Sequence, residues 1–221
     1  METKTFETKK DYIVKALREK ILSGLYQPGV RLKTKDLAHE FGTSEIPVRE
    51  AINQLSSAGL VEVIPHVGAT TTRISSRDLQ EIFQIRTELE SLATRLSAPQ
   101  LSSSDLHALE NIQAMLEQAV EDGSPPAVLN AMNREFHMYL YRKSGNRRLV
   151  AIIDDLWNHA GRYPAPLTGH DDNTAQSLQD HRGILACLQA GDLDGATLLT
   201  EQHKQRSFER ILSQVRHTEL S

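Results

Sequence analysis

Four side chains in the second half of this 221-residue sequence have the makings of a metal-ligand set. Asn133 and His137 are four residues apart, so on a helix they share one face. That face borders an apolar stripe of Leu129, Met132, Phe136 and Leu140. His181 lies among Leu178, Ile184, Leu185 and Leu188, and His203 shares a helix side with Ala196, Leu199 and Ser207. Three inward imidazoles and a short amide on three helices suit zinc, nickel or a similar ion. The spacing equally describes three histidines hydrogen-bonded separately in a core, because no local ligand motif joins them. His39, His66, His107, His159, His170 and His217 read as surface, wing or loop residues.

A different chemistry is written between Thr34 and Ile74. A first short helix runs from Thr34, its expected N-cap, to about Glu40, and Phe41-Gly42-Thr43 forms a tight turn. Ser44 then caps a second helix that reaches about Ala58. Val48, Ala51, Ile52 and Leu55 recur at helical spacing and make its buried stripe. The opposite face presents Ile46, Arg49, Glu50 and Asn53. Leu60–Ile64 and Thr70–Ile74 are β-rich runs around the turn Pro65-His66-Val67-Gly68. Helix, turn, helix and wing is an arrangement that reads DNA: the second helix enters the major groove. Arg49 suits guanine O6 and N7, while Arg31, Lys33 and Lys35 suit phosphates. A helix from Lys9 to Ser23, with Ile13, Leu17 and Ile21 at intervals of four and Gly24 as its stop, serves as scaffold.

After residue 75 the pattern is helical almost throughout. The expected helices are 76–97, 103–122, 126–143, 146–162, 174–190 and 192–215. Ser75 with Asp78, and Ser102 with Asp105, have the spacing of capping boxes. Breaks fall at Pro99, Gly123–Pro126, Gly145, the 163–172 loop and Gly191-Asp192. The loop through Pro164 and His170 is long for a bundle, so it either covers a pocket or moves freely. The expected fold is mainly α. It comprises a winged helix-turn-helix domain over 1–75 and an all-α bundle of six or seven helices over 76–221.

Charge follows the same division. Residues 1–75 carry 11 Lys and Arg against 9 Asp and Glu, whereas residues 76–221 carry 14 against 20, giving the net −4. The small basic excess sits with the reading head, so affinity is expected to need two heads together. Cys187 is the only cysteine and reads as a small core residue, which suits a reducing cytoplasm. The start, METKTFETKK, lacks the apolar core of a signal peptide, and no apolar run approaches membrane-spanning length.

The run PGVRL…LAHEFGTSEIPVREAINQLSSAGLVEVIPHVG resembles the winged helix-turn-helix of GntR-family bacterial regulators. The resemblance implies DNA contacts from Lys35, Glu45, Arg49 and the wing turn with His66 and Gly68, beside the first turn of the second helix at Ser44 and Ile46. Family members usually carry Arg where Glu45 stands and a basic residue where Val67 stands. A carboxylate accepts from cytosine N4 rather than binding guanine, so Glu45 implies an altered operator.

Residues 76–221 resemble the FCD ligand-sensing domain of the FadR subfamily, through Arg86 and Glu90, Asn133 and His137, His181 and His203. Metal-binding members hold zinc or a related ion with one Asp and three His. Those positions match Asn133, His137, His181 and His203, so a neutral amide replaces the carboxylate and weaker metal binding is implied. Small organic acids bind beside the metal in the subfamily, and Arg86 is the implied carboxylate partner. An ordinary Arg86–Glu90 pair, worth a few tenths of a kcal/mol (~0.3), is the other reading of that residue. The implied protein is a cytoplasmic homodimeric repressor of a roughly palindromic double-stranded DNA operator, released by a small organic acid, with no membrane partner. A metal-dependent hydrolase lacks support in the sequence, which holds no HExxH, GxSxG or phosphate-cradling loop. A helical interaction protein that does not bind DNA is the remaining alternative, motivated by the missing cations at Glu45 and Val67.

Overall fold

Ile13, Leu17, Leu37, Val48, Ala51, Ile52 and Leu55 recur at helical spacing in the first part of the chain, and all are buried in one cluster. A computed structural model of the protein describes residues 8–22, 25–64, 68–72, 75–161, 163 and 166–219. The described residues form two compact units: the chain through Ser75 with Asn158–Tyr163, and Ser76–Trp157 with the chain from Pro164 on.

In the first unit, α1 (Lys9–Leu22) packs against α3 (Glu45–Ser57), and α2 (Thr34–Glu40) packs on α3. The turn between α2 and α3 closes with Thr43 N–H donating to Ala38 at 2.9 Å. Gly42 adopts φ 57°, the left-handed conformation that lets the chain reverse without a Cβ clash. The cap of α2 differs from expectation. Lys33, not Thr34, is the N-cap residue, and it makes no side-chain cap bond. Ser44 does precede α3, in extended conformation, but its hydroxyl also makes no cap bond. It faces solvent, which leaves both the hydroxyl and the first N–H groups of α3 available to an external acceptor.

The wing is a three-stranded antiparallel sheet in the order β1 (Arg31–Leu32), β3 (Gly68–Thr71), β2 (Val61–Ile64). The second wing strand starts and ends earlier than the expected 70–74. Its register pairs Ile64 with Gly68 and Val61 with Thr71. The extra strand β1 pairs Arg31 with Thr70. Thr71 fixes it there: its hydroxyl donates to Gln27 O at 2.6 Å and accepts from Val30 N–H at 2.9 Å. Gly24, His66 and Val67 lie outside the described residues, as does the end of the expected strand at Ile74.

The second unit is all-helical. Its elements are α4 (Ser76–Ser97), a 3-10 turn (Ala98–Gln100), α5 (Ser103–Glu121), α6 (Pro126–Arg142), α7 (Arg147–Ala160), α8 (Asp172–Ala190) and α9 (Leu193–Glu219). These are six α-helices among the described residues, with ends close to those expected from periodicity. Ser102 and Asp105 form the full capping box of α5. α4 packs on α9 and α6, α8 packs on α9 and α5, and α5 packs on α6. The loop before α8 is pinned where it is described. Leu167 is fully buried beside Leu116, Val120 and Leu129, and Asn130 brackets its backbone with bonds of 2.7 and 3.1 Å.

Candidate functional site

In the first unit, burying Val48, Ala51, Ile52 and Leu55 turns the other face of α3 outward. Ile46 is 69% exposed, and Arg49, Glu50 and Asn53 also face solvent. Arg49 Nη2 donates to Glu45 Oε2 at 3.0 Å, so the residue standing where the family carries arginine is paired one turn back on the same helix. Lys33 and Lys35 are exposed at the start of α2, and Lys33 lies 3.9 Å from Asp36. Arg31 is exposed on β1, with its guanidinium 3.7 Å from where a Cβ on Gly68 would lie. Gly68 has φ 114°, so a side chain there is strained whatever the space. Among the candidates for DNA contact, His66 lies outside the described residues.

In the second unit, Asn133, His137, His181 and His203 all lie on buried faces of α6, α8 and α9. The three histidines come together, with candidate ligand nitrogens within 4.8 Å of one another. Ring centroids are 4.8 Å apart for His137 and His181, 5.1 Å for His137 and His203, and 4.9 Å for His181 and His203. Phe136 stacks on His181 at 4.4 Å and holds its ring plane.

Hydrogen bonding assigns the protons. His181 Nδ1 lies 2.9 Å from Gln113 Oε1, and His203 Nδ1 lies 3.1 Å from Asp180 Oδ2. Both oxygens only accept, so each Nδ1 carries the proton. His137 Nδ1 lies 3.3 Å from the Tyr141 hydroxyl, which donates its own proton to Glu90 at 2.8 Å, so this Nδ1 also donates. The Nε2 atoms are left as lone pairs. Those of His137 and His181 face one another at 3.2 Å. Two imidazole nitrogens at about 2.05 Å from one tetrahedral ion stand about 3.3 Å apart. Burial lowers the basicity of all three rings, His203 to about 4 against the pull of Asp180, so each is neutral at pH 7. Asn133 Oδ1 is buried and accepts no hydrogen bond. Neutral, oriented imidazoles with outer partners, and a buried amide oxygen with no hydrogen bond one helical turn before His137, fit a divalent cation.

Arg86 occupies a different setting from the solvated pair weighed above. Its Nε donates to Glu90 at 2.8 Å, and their side chains are 5% and 0% exposed. Lys204 Nζ meets the other Glu90 oxygen at 2.8 Å and is equally buried. Burial alone would raise the Glu90 carboxyl, but Arg86 and Lys204 bring it down to about 2. Burial lowers the Lys204 ammonium to about 8, with Glu90 opposing. Sequence reasoning missed Lys204, Gln113, Asp180, Tyr141 and Trp157. Lys204 carried one usable signal, since it follows His203 and continues the buried face of Ala196 and Thr200.

One chain carries both an outward-facing helix in a winged head and a polar, histidine-lined interior in a helical unit, and comparison with known proteins identifies that combination. Residues 9–70 match the bacterial regulatory proteins of the gntR family, and residues 81–206 match the FCD domain. The chain belongs to the GntR family. It is 35% identical over 188 residues to the HTH-type transcriptional regulator McbR of Escherichia coli K12, covering 81% of each protein. It is 30% identical over 186 residues to a probable D-xylose utilization operon transcriptional repressor of Paenarthrobacter nicotinovorans, covering 83% of this chain and 78% of that one. The solved structure of E. coli McbR/YncC superposes with a TM-score of 0.74 at 29% identity, over 95% of this chain and 99% of that one. This GntR-family protein is thus a DNA-binding transcriptional regulator rather than an enzyme, which answers the hydrolase and the interaction-protein alternatives. Among the described residues, no helix is long and apolar enough to cross a membrane.

Proposed function

We propose that this regulator is a homodimeric repressor of the FadR type, whose operator binding is controlled by a small carboxylate bound near a metal ion. In this reading Asn133, His137, His181 and His203 hold the ion, zinc by preference, and Arg86 faces the carboxylate. The single observation that carries it is the pair of Nε2 lone pairs opposed at 3.2 Å inside a buried triad, with every Nδ1 committed to an outer partner. His137 and His181 would hold an ion through these nitrogens, turning a repulsive contact into coordination, and the ion would supply Lewis acidity for a carboxylate. The neutral Asn133 oxygen compensates less charge than a carboxylate, so the affinity for metal is reduced but not lost.

On the DNA side, Arg49 reads a base edge beside Ile46 and Asn53, with Glu45 either buttressing Arg49 or accepting from a cytosine. Ser44, Arg31, Lys33 and Lys35 hold phosphates, and the wing turn with Gly68 and His66 enters the adjacent groove. Two heads on a dimer read two half-sites, so the operator is roughly palindromic. The effector acts only through unequal affinity for the DNA-competent and DNA-incompetent states.

The test is metal analysis of the purified protein joined to a thermal-shift screen of small carboxylates before and after chelation. The expected result is one metal per chain, and an acid that stabilises only the metal-loaded form. Protein with no stoichiometric metal and identical melting with and without chelator would sink the metal centre.

A further inference from the structure

The indole of Trp157 is a meeting point for cations. The Arg86 guanidinium carbon lies 4.3 Å and the Lys204 Nζ 4.8 Å from its ring centroid, and the His137 ring lies 5.8 Å away. Arg86 and Lys204 are both buried, yet they share one carboxylate, Glu90. Glu90 offsets only one of these two charges, and the other buried carboxylate beside the histidines, Asp180, is already paired with Arg206 at 2.7 Å, so one positive charge is left over. The Trp157 Nε1–H is itself buried and makes no hydrogen bond. An unspent N–H donor and a surplus cation at one ring are what an acceptor-rich anion needs.

The proposed ligand set adds to this surplus. Asn133 and three neutral histidines offset none of the charge of a divalent ion, so the site carries about three positive charges when loaded. A monocarboxylate leaves two of them unbalanced in a water-poor interior, whereas a dicarboxylate leaves one. We propose that Lys204 and Trp157 form an anion subsite that takes one carboxylate of the effector while its second lies at the metal, so that the pocket selects dicarboxylates. This rests on the effector reading above. It assigns Lys204 and Trp157 a role in choosing the ligand's charge.

Trp157 is the only tryptophan in the chain, so intrinsic fluorescence reports on this ring alone. The zinc-loaded full-length protein is titrated with malonate, succinate and glutarate, and in parallel with propionate, butyrate and pentanoate, which keep the chain length and lose one charge. Zinc affinity is measured separately by competition with a chromophoric chelator. At least one dicarboxylate is expected to change the Trp157 emission with a Kd at least tenfold below that of its monoacid. Lys204→Met is expected to weaken that dicarboxylate at least tenfold while zinc affinity holds or rises, because a neighbouring positive charge has gone. A variant that merely disturbed the fold would lose both. Lys204→Arg keeps the preference, and Asn133→Asp narrows it while tightening zinc, which guards against misfolding of the first variant. No response to any dicarboxylate, equal affinities within each pair, or a preference unchanged in both Lys204→Met and Asn133→Asp overturns the subsite. A dicarboxylate preference that depends on Lys204 in protein that binds no zinc supports the subsite and removes the metal reading instead.

Discussion

Two Arg–Glu pairs at the same helical spacing, one in the head and one in the bundle interior, teach opposite lessons. Glu45 and Arg49 meet at 3.0 Å on α3 with side chains 45% and 69% exposed. Arg86 and Glu90 meet at 2.8 Å on α4 with side chains 5% and 0% exposed. Geometry barely distinguishes them, but solvent does. In water the first pair is worth a few tenths of a kcal/mol (~0.3), so it breaks easily when DNA offers better partners. In the helix bundle neither charge can retreat to water, so the second pair is held by what surrounds it: Lys204, Tyr141 and the indole of Trp157. The head keeps its charges cheap to rearrange. The bundle keeps its charges costly to leave unpaired.

The largest expected effect comes from breaking the buried pair. Glu90→Gln leaves Arg86 and Lys204 without their shared counter-charge and should cost about 3–5 kcal/mol in urea unfolding. A loss below about 1 kcal/mol would mean that water reaches the pair and that the contrast between the two regions is false.

Acid gives the next effect. His203 titrates near 4 in the fold against its ordinary 6.5, chiefly through burial, so between those values the unfolded chain binds more protons. Stability therefore falls as pH drops through that window, by on the order of 3 kcal/mol. Glu90, held near 2 rather than 4.5, extends the loss below pH 4.5, since its contribution is complete only above the unfolded value. Unfolding of the chelated protein between pH 7 and pH 4 checks this, and a flat profile would contradict buried neutral histidines. Asp180→Asn and Gln113→Ala should each lower zinc affinity about 10–100-fold while leaving helix content intact, because they orient His203 and His181.

Effects in the head should appear in binding and not in stability. Arg49→Ala is expected to cost about 1–3 kcal/mol at one base position of the operator. Binding of a permuted operator set reads this directly, and uniform weakening across all sequences would mark Arg49 as a phosphate contact instead. The smallest effect is Glu45→Ala, which should shift unfolding by less than about 0.5 kcal/mol. Glu45→Arg should alter base preference, and an unchanged preference would deny Glu45 a place in recognition.

The same contrast explains what could be read from the sequence. Helical periodicity located α1 through α9 to within a few residues, because apolar side chains at intervals of three and four record burial directly. The strand β1 was not legible, since Arg31 and Leu32 are too few to show alternation and their pairing with Thr70 and Ala69 of β3 is a long-range contact. Asn133, His137, His181 and His203 could be picked out as inward-facing, but the convergence of the three histidines is a tertiary fact joining three helices. Lys204 was hidden for a related reason. A lysine inside a long polar helix reads as solvated until Glu90, on another helix, is known to face it. Arg86 and Glu90 were seen as a pair, but spacing carries no information on dielectric, and that decides their energy.

The most direct test of the link between the two regions is operator affinity, measured by fluorescence anisotropy at one fixed salt concentration on a duplex selected in vitro with the full-length protein. Metal-loaded and chelated forms are compared across a succinate titration. Coupling of ordinary size changes affinity about 5–150-fold, so succinate should weaken operator binding by at least tenfold in the loaded form and far less after chelation. Equal operator affinity in all four states, with succinate shown by Trp157 fluorescence to be bound, would contradict control of the head by the buried site.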